Sequence, residues 1–213
     1  MIVSEEVAFN IAEFLLQIKA IKIQPGKPFT WASGWKSPIY CDNRKTLSYP
    51  KIRTYIRQQF VESILKNFGK PDVIAGVATG GIAHGALVAE ELGLPFVYVR
   101  SEAKVHGLSN LIEGVVEPGQ AVVIIEDLVS TGSSSLKAVE ALRKEKCEIK
   151  GMAAIFTYGF DIAEDAFKKA KCPLITLSDY SMLIEQALKS EYISANDLDS
   201  LRKWREKPGE WKK

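Results

Sequence analysis

The sequence contains no apolar run approaching the roughly 18 residues that a membrane-spanning helix requires. Its opening stretch, MIVSEEVAFN, places acids where a secretion signal would place bases. A soluble, cytoplasmic protein is the expectation. Cysteine is scarce: Cys41, Cys147 and Cys172 are odd in number, widely spaced and lack a CxxC step. That argues against a disulfide framework and against a zinc site, so the three read as small buried hydrophobes. An excess of either charge is also missing, since 28 Lys and Arg stand against 26 Asp and Glu, for a formal net charge of +2. A protein that coats nucleic acid would be far more basic. Any anion must therefore be held by a local arrangement. No internal repeat and no low-complexity tract breaks the chain into an array.

What is present suffices for one ordinary domain: 213 residues, 46% of them hydrophobic. Ser4 is placed to cap a helix whose face carries Val7, Ile11, Phe14, Leu15 and Ile18, and the pattern predicts a helix to about Ala20. The next stretch, QPGKPFTWASGWKSPIYCDNR, is rich in Pro, Gly, Ser and Trp and predicts loop with a short hairpin. Tyr49-Pro50 then opens a second helix with Ile52, Tyr55, Ile56, Phe60 and Ile64 as its stripe, stopped by Phe68-Gly69.

From there the pattern changes character. Short, uniformly apolar runs at residues 72–78, 95–100, 121–127, 151–157 and 173–177 alternate with helical segments. Strands apolar on both faces belong to parallel sheets covered by helices on both sides. The expected fold is a doubly wound α/β domain with a mostly parallel sheet. A helix and small N-terminal hood occupy about residues 1–45, the core about 46–178, and C-terminal helices with a fraying tail about 179–213.

The strongest chemical signal is VVIIEDLVSTGSSS at residues 122–135, where an apolar strand ends in two carboxylates, Glu126 and Asp127, and enters a helix through small hydroxyl residues. Open α/β sheets bind ligands at such carboxyl ends. Thr131, Gly132, Ser133, Ser134 and Ser135 offer backbone N–H groups and hydroxyls at a helix start, a phosphate cradle. Two acids beside a phosphate make sense if the ligand also carries hydroxyls that donate to them, or a magnesium ion. A phosphorylated sugar meets both conditions.

These residues resemble the signature with which type I phosphoribosyltransferases hold phosphoribosyl pyrophosphate. The resemblance implies that Glu126, Asp127, Leu128, Val129, Ser130, Thr131, Gly132, Ser133 and Ser134 bind this donor. The acids would face the ribose hydroxyls, residues 130–134 the 5-phosphate, and Ser130 would also touch the base.

A second signal, YVRSEAKVHGLSNLIEG at residues 98–114, carries Arg100, Lys104 and His106 within a polar loop. Cations there suit a pyrophosphate. The loop is similar to the catalytic loop of orotate phosphoribosyltransferases, which implies Arg100, Lys104 and His106 as pyrophosphate ligands and Lys104, His106 and Asp127 as catalytic residues. The glycine turn Ala78-Thr79-Gly80-Gly81 and the SGWKSPIYCD segment match the family's pyrophosphate turn and base-covering hood. His84 reads as structural or base-adjacent, and Trp31 and Trp35 as burying apolar area in the hood or stacking on a base, with the structural reading favoured for all three. The sequence departs from some members at four places: Ala32 and Gly80 replace lysines, Ser101 another lysine, and Tyr158 lies near an arginine that meets the orotate carboxylate.

The resemblance implies a magnesium-assisted enzyme joining orotate to phosphoribosyl pyrophosphate, with no nucleic-acid or membrane partner. It also implies a homodimer whose active sites are shared. Two rivals stand beside it. One is a phosphoribosyltransferase for a purine or another base; the other is a regulator that senses the donor, which would need a basic extension for nucleic acid.

Overall fold

The computed structural model describes residues 2–31, 33–100 and 111–211. Helix α1 (Glu5–Gln17) starts as expected, with the Ser4 hydroxyl accepting from the Val7 N–H at 3.1 Å and Glu5 and Glu6 in the first turn. It ends three residues before Ala20 because Lys19 takes a left-handed φ of 54°. The hood is more ordered than a loop with one hairpin. Strand β1 (Ile21–Ile23) pairs with β4 (Ile39–Cys41), and within that pair β2 (Phe29–Thr30) pairs with β3 (Lys36–Ser37), both antiparallel. A 3₁₀ turn, Asn43–Ser48, leads into α2 (Pro50–Phe68), with Pro50 in the first turn.

The core then alternates β5 (Val73–Val77), α3 (Gly80–Leu92), β6 (Phe96–Val99), β7 (Ile112–Glu113), β8 (Ala121–Val129), α4 (Ser133–Lys144), β9 (Glu148–Thr157), α5 (Asp161–Lys169) and β10 (Leu174–Asp179). The last helices are α6 (Tyr180–Lys189) and α7 (Leu198–Glu206). Six strands form one sheet in the order β10-β9-β8-β5-β6-β7, all parallel except β7, which runs antiparallel to β6. The expected doubly wound α/β fold is present, with β7 an addition too short to leave a sequence pattern.

Strand pleating divides the core. Val123, Ile125, Ala153 and Ile155 pack with α1, α2, α3, α6 and α7 on one face, while Val122, Ile124, Met152 and Ala154 pack with α4 and α5 on the other. Every one of these eight side chains is fully buried, which is why their strands read as unbroken apolar runs.

One expectation about the C-terminal region changes. The tail does not fray as far as Trp211: Trp211 packs on the core, and Gly209 lies against the Trp35 indole. Trp204 of α7 is fully buried among Trp31, Tyr158, Phe160 and Tyr180, and Arg205 donates to the Tyr158 and Gly159 carbonyls at 3.4 and 3.1 Å. Aromatic area outweighs the charged composition of the segment.

Candidate active site

From β5 the chain moves to β6 on one side, then returns to β8 on the other, so strand order reverses between β5 and β8. Ligands of open α/β sheets bind at this switch, outside the carboxyl ends of the strands. A cavity of about 430 Å³ lies there. Three segments line it: Cys41, Asp42 and Arg44 from the hood, Val77–Gly80 after β5, and Glu126, Asp127, Leu128, Ser130, Thr131, Gly132 and Ser134 from the end of β8.

The acid pair is held firmly. Glu126 is 5% exposed; its carboxylate accepts from the Asp127 N–H at 3.0 Å and from the Ser135 hydroxyl at 2.9 Å. Burial, then the neighbouring Asp127, pushes the Glu126 carboxyl well above its ordinary range. Burial also raises Asp127, opposed by the hydrogen bond with Glu126 and by the positive charge of Arg44. The Asp127 carboxylate lies directly over Gly80, in the space that a Cβ there would occupy, so any side chain at this position would require the carboxylate to rotate away.

Beyond the acids, Gly132 sits at the start of α4 with φ 80°, and no side chain caps the helix. Its first-turn N–H groups, the Thr131 and Ser134 side chains and the helix dipole together make an anion cradle.

A buried chain of hydrogen bonds ties the hood to this turn. The Asn43 side-chain amide donates to the Asp127 carbonyl at 2.6 Å, and the Thr46 hydroxyl donates to the Asn43 carbonyl at 2.6 Å. Because that hydroxyl has one proton, His84 Nε2, 3.0 Å away, must be the donor to it. Among the described residues His84 Nδ1, itself buried, has no partner, and burial, followed by the Arg53 charge, pushes the imidazole down to about 4. His84 is thus structural, as expected.

Most of the expected donor-binding run converges on the cavity, with two exceptions. The Val129 side chain turns into the core, while its carbonyl accepts from the Thr157 hydroxyl and the Tyr158 N–H; Ser133 lines a neighbouring surface groove. Arg100 is described but pairs with Glu113 at 3.4 Å and does not line the cavity. Lys104, His106 and Ser101 lie outside the described residues, as does Ala32. Cys41, Asp42 and Arg44 belong to or directly follow the segment expected to cover the base, but none was singled out as a site residue; the polar break directly after the SPIY strand was the available signal. Cys41 also departs from the expectation of a buried hydrophobe, since it lines the cavity and its thiol donates to Asn43 Oδ1 at 3.2 Å.

The sequence model of the phosphoribosyl transferase domain matches residues 47–185. An orotate phosphoribosyltransferase of Bacteroides thetaiotaomicron is 60% identical over 200 residues, 94% of either chain. One from Listeria innocua is 53% identical over 204 residues, 96% of this chain and 98% of that one. Among solved structures, the orotate phosphoribosyltransferase from Aeropyrum pernix superposes with a TM-score of 0.75 at 26% identity, covering 86% of this chain and 99% of that one.

Proposed function

The chain belongs to the phosphoribosyl transferase domain family and, within it, to the orotate phosphoribosyltransferases, enzymes of pyrimidine biosynthesis; from that premise we propose how its residues divide the work. The observation that carries the reading is the buried acid pair Glu126 and Asp127 beside the uncapped start of α4, on the switch point between β5 and β8.

In the reaction a ring nitrogen of orotate gives up its proton and forms a bond to the anomeric carbon of phosphoribosyl pyrophosphate, while the bond to pyrophosphate breaks and its electron pair leaves with the pyrophosphate oxygen. The α4 cradle, Thr131 to Ser134, holds the 5-phosphate. Glu126 and Asp127 accept from the ribose hydroxyls and so orient the sugar ring. Ser130 borders the base. Arg100, Lys104 and His106 offset charge as it develops on the departing pyrophosphate, which lowers the barrier more than equal binding of substrate and transition state would.

Magnesium suits a phosphorylated donor rich in hard oxygens, with oxygens of the donor and water supplying most of its shell beside the acid pair. When bound, it supplies partial neutralisation of the pyrophosphate. We further propose a cytoplasmic homodimer with shared active sites. No helix among the described residues is long and apolar enough to cross a membrane.

The direct test is loss of orotate absorbance on mixing enzyme, orotate, phosphoribosyl pyrophosphate and magnesium, with equimolar purine bases and uracil as competitors. Consumption of orotate in preference to the others is the expected result. Turnover of a purine instead would overturn it.

A further inference from the structure

Both substrates are anions, but the described lining of the cavity carries three carboxylates, Asp42, Glu126 and Asp127, and a single cation, Arg44. The donor's 5-phosphate has the α4 cradle. Its pyrophosphate has magnesium and the cations of the segment at residues 100–106. The carboxylate that distinguishes orotate from uracil has neither.

Arg44 is placed for it. Its Nε donates to the Asp42 carboxylate at 2.7 Å, which holds the guanidinium by one edge. The two terminal nitrogens form the opposite edge, the geometry with which arginine takes a carboxylate by two parallel hydrogen bonds. The side chain remains 57% exposed, open to an incoming molecule. It comes from the hood, whose Cys41 and Asp42 line the same wall, and its charge is felt at Asp127. The other candidate position is closed off. Tyr158 is 1% exposed, stacked on Phe160 at 5.4 Å and packed against Trp31 and Trp204, so nothing at that position reaches the cavity.

We propose that Arg44 determines base specificity by pairing with the orotate carboxylate, with Asp42 positioning the guanidinium. The proposal rests on the orotate reading above. It predicts that the enzyme's preference for orotate over uracil is stored in this one side chain.

The experiment compares wild type, Arg44→Gln, Arg44→Lys and Asp42→Asn, with circular dichroism confirming that each substitution leaves the fold intact. Apparent KM is measured separately for orotate at saturating donor and for donor at saturating orotate, and the orotate-to-uracil ratio of kcat/KM is taken for each protein. Losing a charge-assisted, two-bond contact should lower kcat/KM for orotate on the order of 10- to 100-fold in Arg44→Gln. The donor KM should stay within about twofold, and the orotate-to-uracil ratio should fall with the orotate value. Arg44→Lys should recover part of the loss, and Asp42→Asn should show a smaller loss of the same kind. A raised donor KM with the base ratio unchanged would overturn the proposal by assigning Arg44 to phosphate. An unaltered orotate KM would overturn it outright. Wild-type enzyme that consumes no orotate would instead defeat the underlying reading, so the two failures are distinguishable.

Discussion

The side-chain amide of Asn43, in the hood, donates to the backbone carbonyl of Asp127 at the end of β8 across 2.6 Å. Eighty-four residues of chain separate the two. The bond makes the hood and the acid turn one mechanical unit, since Asn43 is in turn held by Thr46, and Thr46 by His84.

Asn43→Ala should therefore cost about 1–3 kcal/mol of stability, because the Asp127 carbonyl loses its donor. It should also lower kcat/KM for phosphoribosyl pyrophosphate roughly tenfold as the acid turn drifts. Urea unfolding and steady-state kinetics read the two effects separately. A stability loss with unchanged donor kinetics would make Asn43 merely structural.

Glu126→Gln should do the opposite to stability. A carboxyl raised by burial favours its protonated form in the folded state, so its contribution is present at low pH and is lost as pH rises through the raised value. The neutral isostere removes that penalty while preserving the acceptor for the Asp127 N–H. Melting temperature should rise by about 2–4 °C at pH 8, with the gain shrinking at pH 5. Activity should fall, because a carboxylate facing ribose is gone. A lower melting temperature at pH 8 would refute the account.

His84 sets an acid limb. Its folded value of about 4 lies below the ordinary 6.5, so the neutral ring's contribution is complete above 6.5 and is lost as pH falls towards 4. Up to about 3 kcal/mol should disappear across that window. The slope of stability against pH there should flatten in His84→Gln, which cannot titrate. An identical slope in the variant would move the effect to other groups.

Asp127→Asn should remain folded and lose about 10- to 100-fold in kcat/KM, since a weaker acceptor faces the ribose. Sharing of sites follows from mixing that variant with a chain carrying Lys104→Ala and His106→Ala. Loops acting across the dimer would restore one sound site in each mixed pair and recover activity. Activity no greater than that of the separate variants, with mixed dimers verified by native mass spectrometry, would show that each loop serves its own subunit.

Legibility in the sequence followed chain locality. The β8–α4 segment could be read because strand, acids, glycine turn and helix start are contiguous, and apolar strands buried on both faces announced the sheet. Arg44 and Asp42 were not singled out, because their meaning depends on a hood folding over a turn more than eighty residues away, and the single i,i+3 step of the 3₁₀ turn buries polar residues, Asn43 and Thr46, which leave no apolar stripe. Val129 misled for the converse reason: it lies inside the contiguous motif, but its side chain belongs to the core. The tail was misread because two tryptophans outweigh the charge around them.

The burial of Trp204 gives the molecule an order of assembly. The indole packs edge-on against Trp31, whose own N–H donates to the Ile39 carbonyl in the strand that leads to Cys41 and Arg44. As the chain leaves the ribosome, the residues of the sugar-phosphate cradle have all been synthesised once α4 has emerged, while β9 and the helices that cover β8 are still to come. The wall on the hood side still lacks its wedge until α7, some sixty residues later, is synthesised. Through one indole the last helix of the chain thus props the hood wall that carries Arg44, tying the C-terminal segment to the side of the cavity opposite the phosphate cradle.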